Sequence, residues 1–360
     1  MRKFVVGLIL INLLISIVFS EEPEFTVAVI PDTQGYTDYR LIDERNDFSK
    51  IFTRQIEFIV SNSKKNNGYI NFAIHLGDVV NNFSYQQSEW NNADSAISLL
   101  DDIVPFIIIP GNHDYDEIVI SKEFPKATVQ GNTFFNSFFG PESIHFKNKE
   151  WYGGAYNDGM NSWAVLNCES EKILILGLEL EPTEDVLNWA QSVIDQNNLP
   201  TILCIHEFLS MNYSKTNPGN ADFAYGGYRY KYNGKSPEYI LEKLIKKNNQ
   251  VFLVLCGHYA INDDSENIRT DINDFGNKVY LILSDYQFRN SLLSKDDKKK
   301  YKWYGGDGWL RLISFFKDRK SIHIQTYSTE FKCYEKDYNS DFIIKFDWNW
   351  KERFYKSMIQ

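Results

Sequence analysis

The chain has 360 residues, 43% of them hydrophobic, with 48 acidic side chains against 38 basic ones. That length and apolar content are enough for a full α/β core and exclude a disordered chain. A formal charge of −10 excludes a broad basic face for long nucleic acid, and four cysteines are too few for a disulfide scaffold.

The first 20 residues read as a secretory signal. Arg2 and Lys3 form a charged start, Phe4 to Phe19 an apolar stretch broken by Asn12 and Ser16, and Val18-Phe19-Ser20 a cleavage site. The stretch is short for a membrane span, and no later segment is long and apolar enough to cross a bilayer. Cleavage would take the formal charge from −10 to −12 and leave residues 21–360 as one domain, secreted or in the lumen of the endomembrane system. Asn82 and Asn212 head glycosylation sequons, consistent with export. Asn212 is the better acceptor, because Asn82 lies four residues past Asp78, a candidate functional carboxylate that a glycan would crowd. The basic run Lys298, Lys299, Lys300 and Lys302 reads as a solvated loop.

In chain order, Phe25 to Ile30 is a strand followed by Pro31-Asp32-Thr33-Gln34. Phe48 to Val60 carries apolar residues at helical spacing; Ile70 to His75 is a second strand ending in Gly77-Asp78. A helix spans about Trp90 to Leu100, and Phe106 to Ile109 is a third strand closed by Pro110-Gly111-Asn112-His113-Asp114. The order β-α-β-α-β predicts a parallel sheet covered by helices. Residues 115–162, rich in aromatics but without a period, read as a long loop. Strands follow at Ser162 to Asn167 and Ile173 to Leu178, then a helix over Glu181 to Asn197 with Pro182 near its start. Thr201 to Ile205 is a strand ending at His206. After an aromatic loop, Ser236-Pro237 caps a helix to about Lys247, and Val251 to Cys256 ends at Gly257-His258. The tail alternates strand and turn at Val279 to Leu283, Trp309 to Phe316, Ser321 to Tyr327 and Phe342 to Phe346, a β-rich C-terminal region over about 300–350.

Five apolar strands thus end in Asp32, Asp78, Asn112, His206 and His258. Ligands of α/β sheets bind beyond the carboxyl ends of strands, so these side chains should converge. Mixed oxygen and nitrogen donors without cysteine suit manganese, iron or zinc. A carboxylate can bridge two divalent ions about 3.5 to 4 Å apart, which would activate a water and neutralise phosphoryl charge. Phosphate ester hydrolysis is the leading chemistry, with a phosphoester small molecule or phosphorylated substrate as partner, no stable nucleic-acid partner and no indication of oligomeric state.

The order Asp32-Thr33-Gln34, Gly77-Asp78-Val79-Val80-Asn81, Gly111-Asn112-His113-Asp114, His206, Gly257-His258 resembles the calcineurin-like metallophosphoesterase superfamily, in the branch beginning Pro-Asp-Thr-Gln. Trp151-Tyr152-Gly153-Gly154, Ser284-Asp285-Tyr286-Gln287 and Gly306-Asp307-Gly308-Trp309-Leu310-Arg311 extend the resemblance along the chain. It implies a four-layer α-β-β-α sandwich of two mixed sheets. By motif, Asp32 and Gln34 would hold a first metal, Asp78 would bridge, and Asn112, His206 and His258 would hold the second. His113 would be the catalytic histidine that protonates the leaving oxygen, with Asp114 orienting it. Where the family reads Gly-His-x-His, this chain has Gly257-His258-Tyr259-Ala260. The first site then binds weakly or borrows from Asp263, Asp264 or water. A phosphatase-like binding module without a complete first site, and a nuclease or nucleotidase on the same scaffold, are the rival readings. His75 reads as a satisfied core residue, His145 and His323 show no partner pattern, and Cys204 and Cys256 read as a bonded pair or two buried thiols. Tyr225, Tyr228, Tyr230, Tyr232, Trp151, Tyr156, Trp303 and Trp309 read as rim packing ahead of a stacking platform.

Overall fold

A computed structural model describes residues 22–41, 47–81, 86–119, 128–168, 171–211, 221–224, 231, 233–260, 266–291, 306–316 and 320–346. The leader, both sequons, Asp263 and Asp264, the lysine run, Trp303 and the tyrosines at 225–232 lie outside them.

The first sheet is built around β1 (Phe25–Ile30), β2 (Ile70–His75) and β3 (Phe106–Ile108), which run parallel. Its helices are α2 (Ser49–Ser61) and α3 (Gln87–Ile97); α1 (Gln34–Thr37) is a single turn directly after β1. The second sheet has β8 (Lys172–Leu178), β9 (Thr201–Ile205), β10 (Val251–Cys256) and β12 (Lys278–Ser284) in parallel. Antiparallel edges are added by β6 (Tyr152–Tyr156) and β7 (Asn161–Asn167) on one side and β11 (Glu266–Ile272) on the other. Both sheets are mixed. The C-terminal strands belong to the first sheet: β13 (Trp309–Phe316) pairs antiparallel with β1, and β14 (Ser321–Ser328), β15 (Cys333–Tyr334) and β16 (Asp341–Lys345) continue the same sheet.

Strand alternation explains the layering. In β1, Phe25, Val27 and Val29 point to the core shared with the second sheet, where Ile175, Ile202, Phe252 and Ile282 meet them. Ala28 and Ile30 point the other way, onto Phe52, Ile56, Ile59 and Trp90 of the covering helices. On the far face of the second sheet, Leu176, Leu203 and Val254 pack against Val186 and Ala190 of α5 (Glu184–Asn197) and Leu241 and Leu244 beyond α6 (Pro237–Ile240). The result is helix, sheet, sheet, helix, with strands buried on both faces and therefore continuously apolar in sequence.

Three local expectations change. Residues 115–162 hold a two-stranded hairpin of β4 (Glu117–Val119) and β5 (Thr128–Gln130), the short helix α4 (Thr133–Phe139) and β6, instead of one long loop. α4 is too short to show a period, and its four phenylalanines surround Trp90. The helix expected from Glu181 starts at Glu184, because Thr183 takes the cap position and Glu181 adopts φ +43°. The helix entered at Ser236 does begin there, with Ser236 Oγ accepting from Tyr239 N at 3.3 Å, but it widens to a π turn over Leu241–Ile245. All four cysteines are free.

Candidate active site

The carboxyl ends of β1, β2 and β3 in one sheet and β9, β10 and β12 in the other face a common crevice. Tight turns deliver the functional side chains. Gly77 has φ +98°, and a Cβ there would sit 2.6 Å from Gly111 N and 2.8 Å from His206 Nδ1. At Gly257 a Cβ would lie 2.4 Å from Asp32 Oδ1. Glycine is required at both positions for the strand ends to approach. Asp78 and His258 themselves hold left-handed φ values of +50° and +73°. Strained backbone at two facing side chains marks a place where geometry is fixed for function.

The structure brings Asp78, Asn112, His206 and His258 together. His206 Nε2 lies 3.3 Å from Asp78 Oδ2, 3.3 Å from Asn112 Oδ1 and 3.2 Å from His258 Nδ1. His206 Nδ1 faces the Leu76 carbonyl at 2.8 Å, which only accepts, so Nδ1 carries a proton and Nε2 is the nitrogen turned toward the cluster. Such a backbone anchor on the far nitrogen is how metal-binding imidazoles are oriented. Asp78, His206 and His258 each offer a ligand atom within 4.8 Å of one another. Burial opposes charge on His206, yet Asp78 and Asp32 lift it to about 10; burial and His206 pull His258 down to about 3.

Asp32 and Gln34 occupy the neighbouring half. Asp32 Oδ1 accepts from His258 N at 3.3 Å. Gln34 Nε2 donates to Asp78 Oδ2 at 3.2 Å and to Gln287 Oε1 at 3.0 Å. Their remaining oxygens, Asp32 Oδ2 and Gln34 Oε1, are buried with no hydrogen-bond partner among the described residues. Buried acceptors are almost always satisfied, so these two oxygens beside a cluster of carboxylates and imidazoles fit a cation. The donor set therefore suits divalent metal.

His113 lies beside the cluster. Its backbone N donates to Asp78 Oδ1 at 2.8 Å, and its ring Nδ1 donates to the Asn81 carbonyl at 2.6 Å. Asp114 does not orient that ring. Its Oδ1 accepts from Val79 N at 2.8 Å and Val80 N at 3.1 Å, and its Oδ2 from Gly111 N at 2.8 Å. A short carboxylate one residue after His113 is better placed to staple two turns than to reach an imidazole aimed at Asn81. His75 is the satisfied residue expected, bridging Thr33 Oγ1 at 2.9 Å and Gly77 N at 3.1 Å.

Sequence reasoning gave no role to two further groups. Asp285 is fully buried at the end of β12, and Glu207 follows His206. Burial, with Glu181 nearby, raises Glu207 to about 8. The signal for Asp285 was present: an apolar strand ending in a carboxylate is the pattern that identified Asp78. Of the aromatics, Trp151 packs among Phe72, Phe106 and Phe146, and Tyr156 stacks on Trp189 at 5.6 Å. Both make packing contacts with neighbouring rings.

An uncharacterised Bacillus subtilis protein, YvnB, is 27% identical over 323 residues, covering 88% of this chain; the chain spans 20% of that protein's length. Solved structures with similarity include GAP50, the anchor in the inner membrane complex of Plasmodium, at 13% identity and TM-score 0.43, covering 92% of this chain and 94% of that one. A 5′-nucleotidase from Candida albicans aligns at 10% identity and TM-score 0.43, over 86% of this chain and 52% of that one. Residues 25–262 match the sequence model of the calcineurin-like phosphoesterases, and the chain belongs to that family.

Proposed function

We propose that the protein is an exported, metal-dependent phosphoesterase that hydrolyses phosphate esters with water at a binuclear centre of manganese, iron or zinc. The observation that carries this reading is the convergence of His206 Nε2, His258 Nδ1, Asp78 Oδ2 and Asn112 Oδ1 beside the unpartnered Asp32 Oδ2 and Gln34 Oε1. Asp32, Gln34 and Asp78 would hold one ion, and Asp78, Asn112, His206 and His258 the other. When bound, such ions acidify water and neutralise charge on phosphoryl oxygens. His113 holds its Nδ1 proton on the Asn81 carbonyl, so Nε2 is the nitrogen that hands a proton to the leaving oxygen. Export rests on the charged, apolar and small-residue order within residues 1–20, with Asn212 ahead of Asn82 as the glycan acceptor.

The test is a phosphoester panel run on protein dialysed against a chelator and then resupplied with manganese, zinc or iron. Hydrolysis that vanishes on chelation and returns with metal supports the reading. Metal-replete protein that cleaves neither monoesters nor diesters sinks it and favours a binding module.

A further inference from the structure

A glutamine side chain can present either its oxygen or its NH2 group, and only the oxygen can hold a cation. In the crevice Gln34 turns its NH2 group away. Nε2 donates to Asp78 Oδ2 at 3.2 Å and to Gln287 Oε1 at 3.0 Å, while Oε1 is buried without a hydrogen-bond partner among the described residues. Asp78 Oδ2 also lies against His206, within the candidate ligand group. The contact to Gln287 lies outside that group, so it orients Gln34 whatever Asp78 binds.

Gln287 has the same two-way choice, and Asp285 removes it. The Asp285 carboxylate accepts at both oxygens, from Gln287 N at 3.0 Å on Oδ1 and from Gln287 Nε2 at 2.8 Å on Oδ2. A carboxylate only accepts, so Nε2 of Gln287 faces it and Oε1 is turned to Gln34. All three side chains are less than a tenth exposed, so these partners make the choice and not bulk water.

The spacing of the two glutamines is fixed through the backbone. A Cβ at Gly306 would lie 1.8 Å from the Tyr286 carbonyl oxygen, and Gly306, Asp307 and Gly308 hold consecutive left-handed φ values of +84°, +38° and +67°. Tyr36 OH donates to Gly306 O at 2.6 Å and accepts from Gly308 N at 2.9 Å. Tyr36 belongs to α1, which opens with Gln34. The strained turn thus ties the backbone beside Gln287 to the helical turn that carries Gln34.

We propose that Gln287 is a positioning residue, set by Asp285, that turns Gln34 so that its amide oxygen faces the crevice as a cation ligand. Asp285 acts only through Gln287, and the inference rests on the proposed metal centre.

The test titrates the full chain, stripped by chelator, with manganese alone and follows bound ion by electron paramagnetic resonance. Gln287→Leu removes the acceptor facing Gln34 and should weaken manganese binding at one position by roughly tenfold or more. Asp285→Asn should do the same, because one acceptor becomes an NH2 group and the Gln287 amide turns over. Asp285→Asn combined with Gln287→Glu restores an acceptor toward Gln34 and a donor–acceptor match with position 285, at unchanged formal charge. Binding in that double variant should return to near the wild-type value, whereas a merely structural role makes it at least as weak as either single variant. Wild-type affinity in Gln287→Leu, or a double variant no better than Asp285→Asn, overturns the inference and leaves the phosphoesterase reading intact. Where a single variant folds poorly, the double variant, isosteric with wild type, decides alone: near wild-type binding supports the inference and a tenfold loss sinks it. A wild-type chain that takes up no manganese also sinks it, and one that takes up no zinc or iron either removes the metal centre as well.

Discussion

His113 is held at two atoms, its backbone N on Asp78 and its ring Nδ1 on the Asn81 carbonyl, while Asp114 stitches Val79, Val80 and Gly111 together. The neighbours therefore separate into chemistry and architecture, and substitution should separate them too. On the proposed mechanism His113→Ala removes the proton donor to the leaving oxygen, so phosphoester turnover should fall on the order of 100-fold with the melting temperature nearly unchanged. Asp114→Ala strands three buried N–H groups, each costing about 1–3 kcal/mol, so its stability by urea denaturation should drop by about 3 kcal/mol or more. Equal stability loss in both variants would contradict the division.

At the scale of elements, His145 shows what pairing does to a buried imidazole. Its Nδ1 meets Asp101 Oδ1 at 2.9 Å and its Nε2 meets Asp94 Oδ1 at 3.0 Å, tying the segment after α4 to α3 and the turn beyond it. Burial opposes the charged ring, but Asp101 and Asp94 raise it above the ordinary histidine value. A raised folded-state value means the stabilisation is fully present below the unfolded value near ~6.5 and is lost as pH climbs through the folded one. The difference in urea midpoint between wild type and His145→Gln should accordingly be largest near pH 6 and shrink toward pH 9; a constant difference would show a neutral ring. No local pattern reveals this pair, because the partners lie 44 and 51 residues away. The strand-end motifs were legible for the opposite reason: Asp32, Asp78, Asn112, His206 and His258 each come at or just past the end of an apolar strand, so topology draws them together. Edge strand β11, with the polar sequence ENIRTDI, lacks that apolar signal and stayed hidden.

At the scale of the molecule, one buried ion pair crosses from sheet to sheet. Glu266 on β11 of the second sheet meets Arg311 on β13 of the first at 2.5 Å, with both side chains 1% exposed. Tyr286, next to Asp285, donates to the same carboxylate, as do Thr326 and Ser340. Burial pushes Glu266 up, but Arg311 and Arg289 hold it below the usual range. This satisfied network explains why Tyr286 and Arg311 belong to the motifs around Asp285 and Trp309, far apart in sequence. It fixes the loop carrying Asp285 and Gln287 against the sheet that carries Asp32. Removing one partner should be worse than removing both. Arg311→Met leaves an uncompensated buried carboxylate and should cost about 3–5 kcal/mol, whereas Glu266→Gln combined with Arg311→Met should recover a large part of that loss. A double-mutant cycle by urea denaturation measures the coupling. Single and double variants that simply add would mean that the two sheets are held by their shared apolar core alone, with the ion pair a bystander to the position of the Asp285 loop.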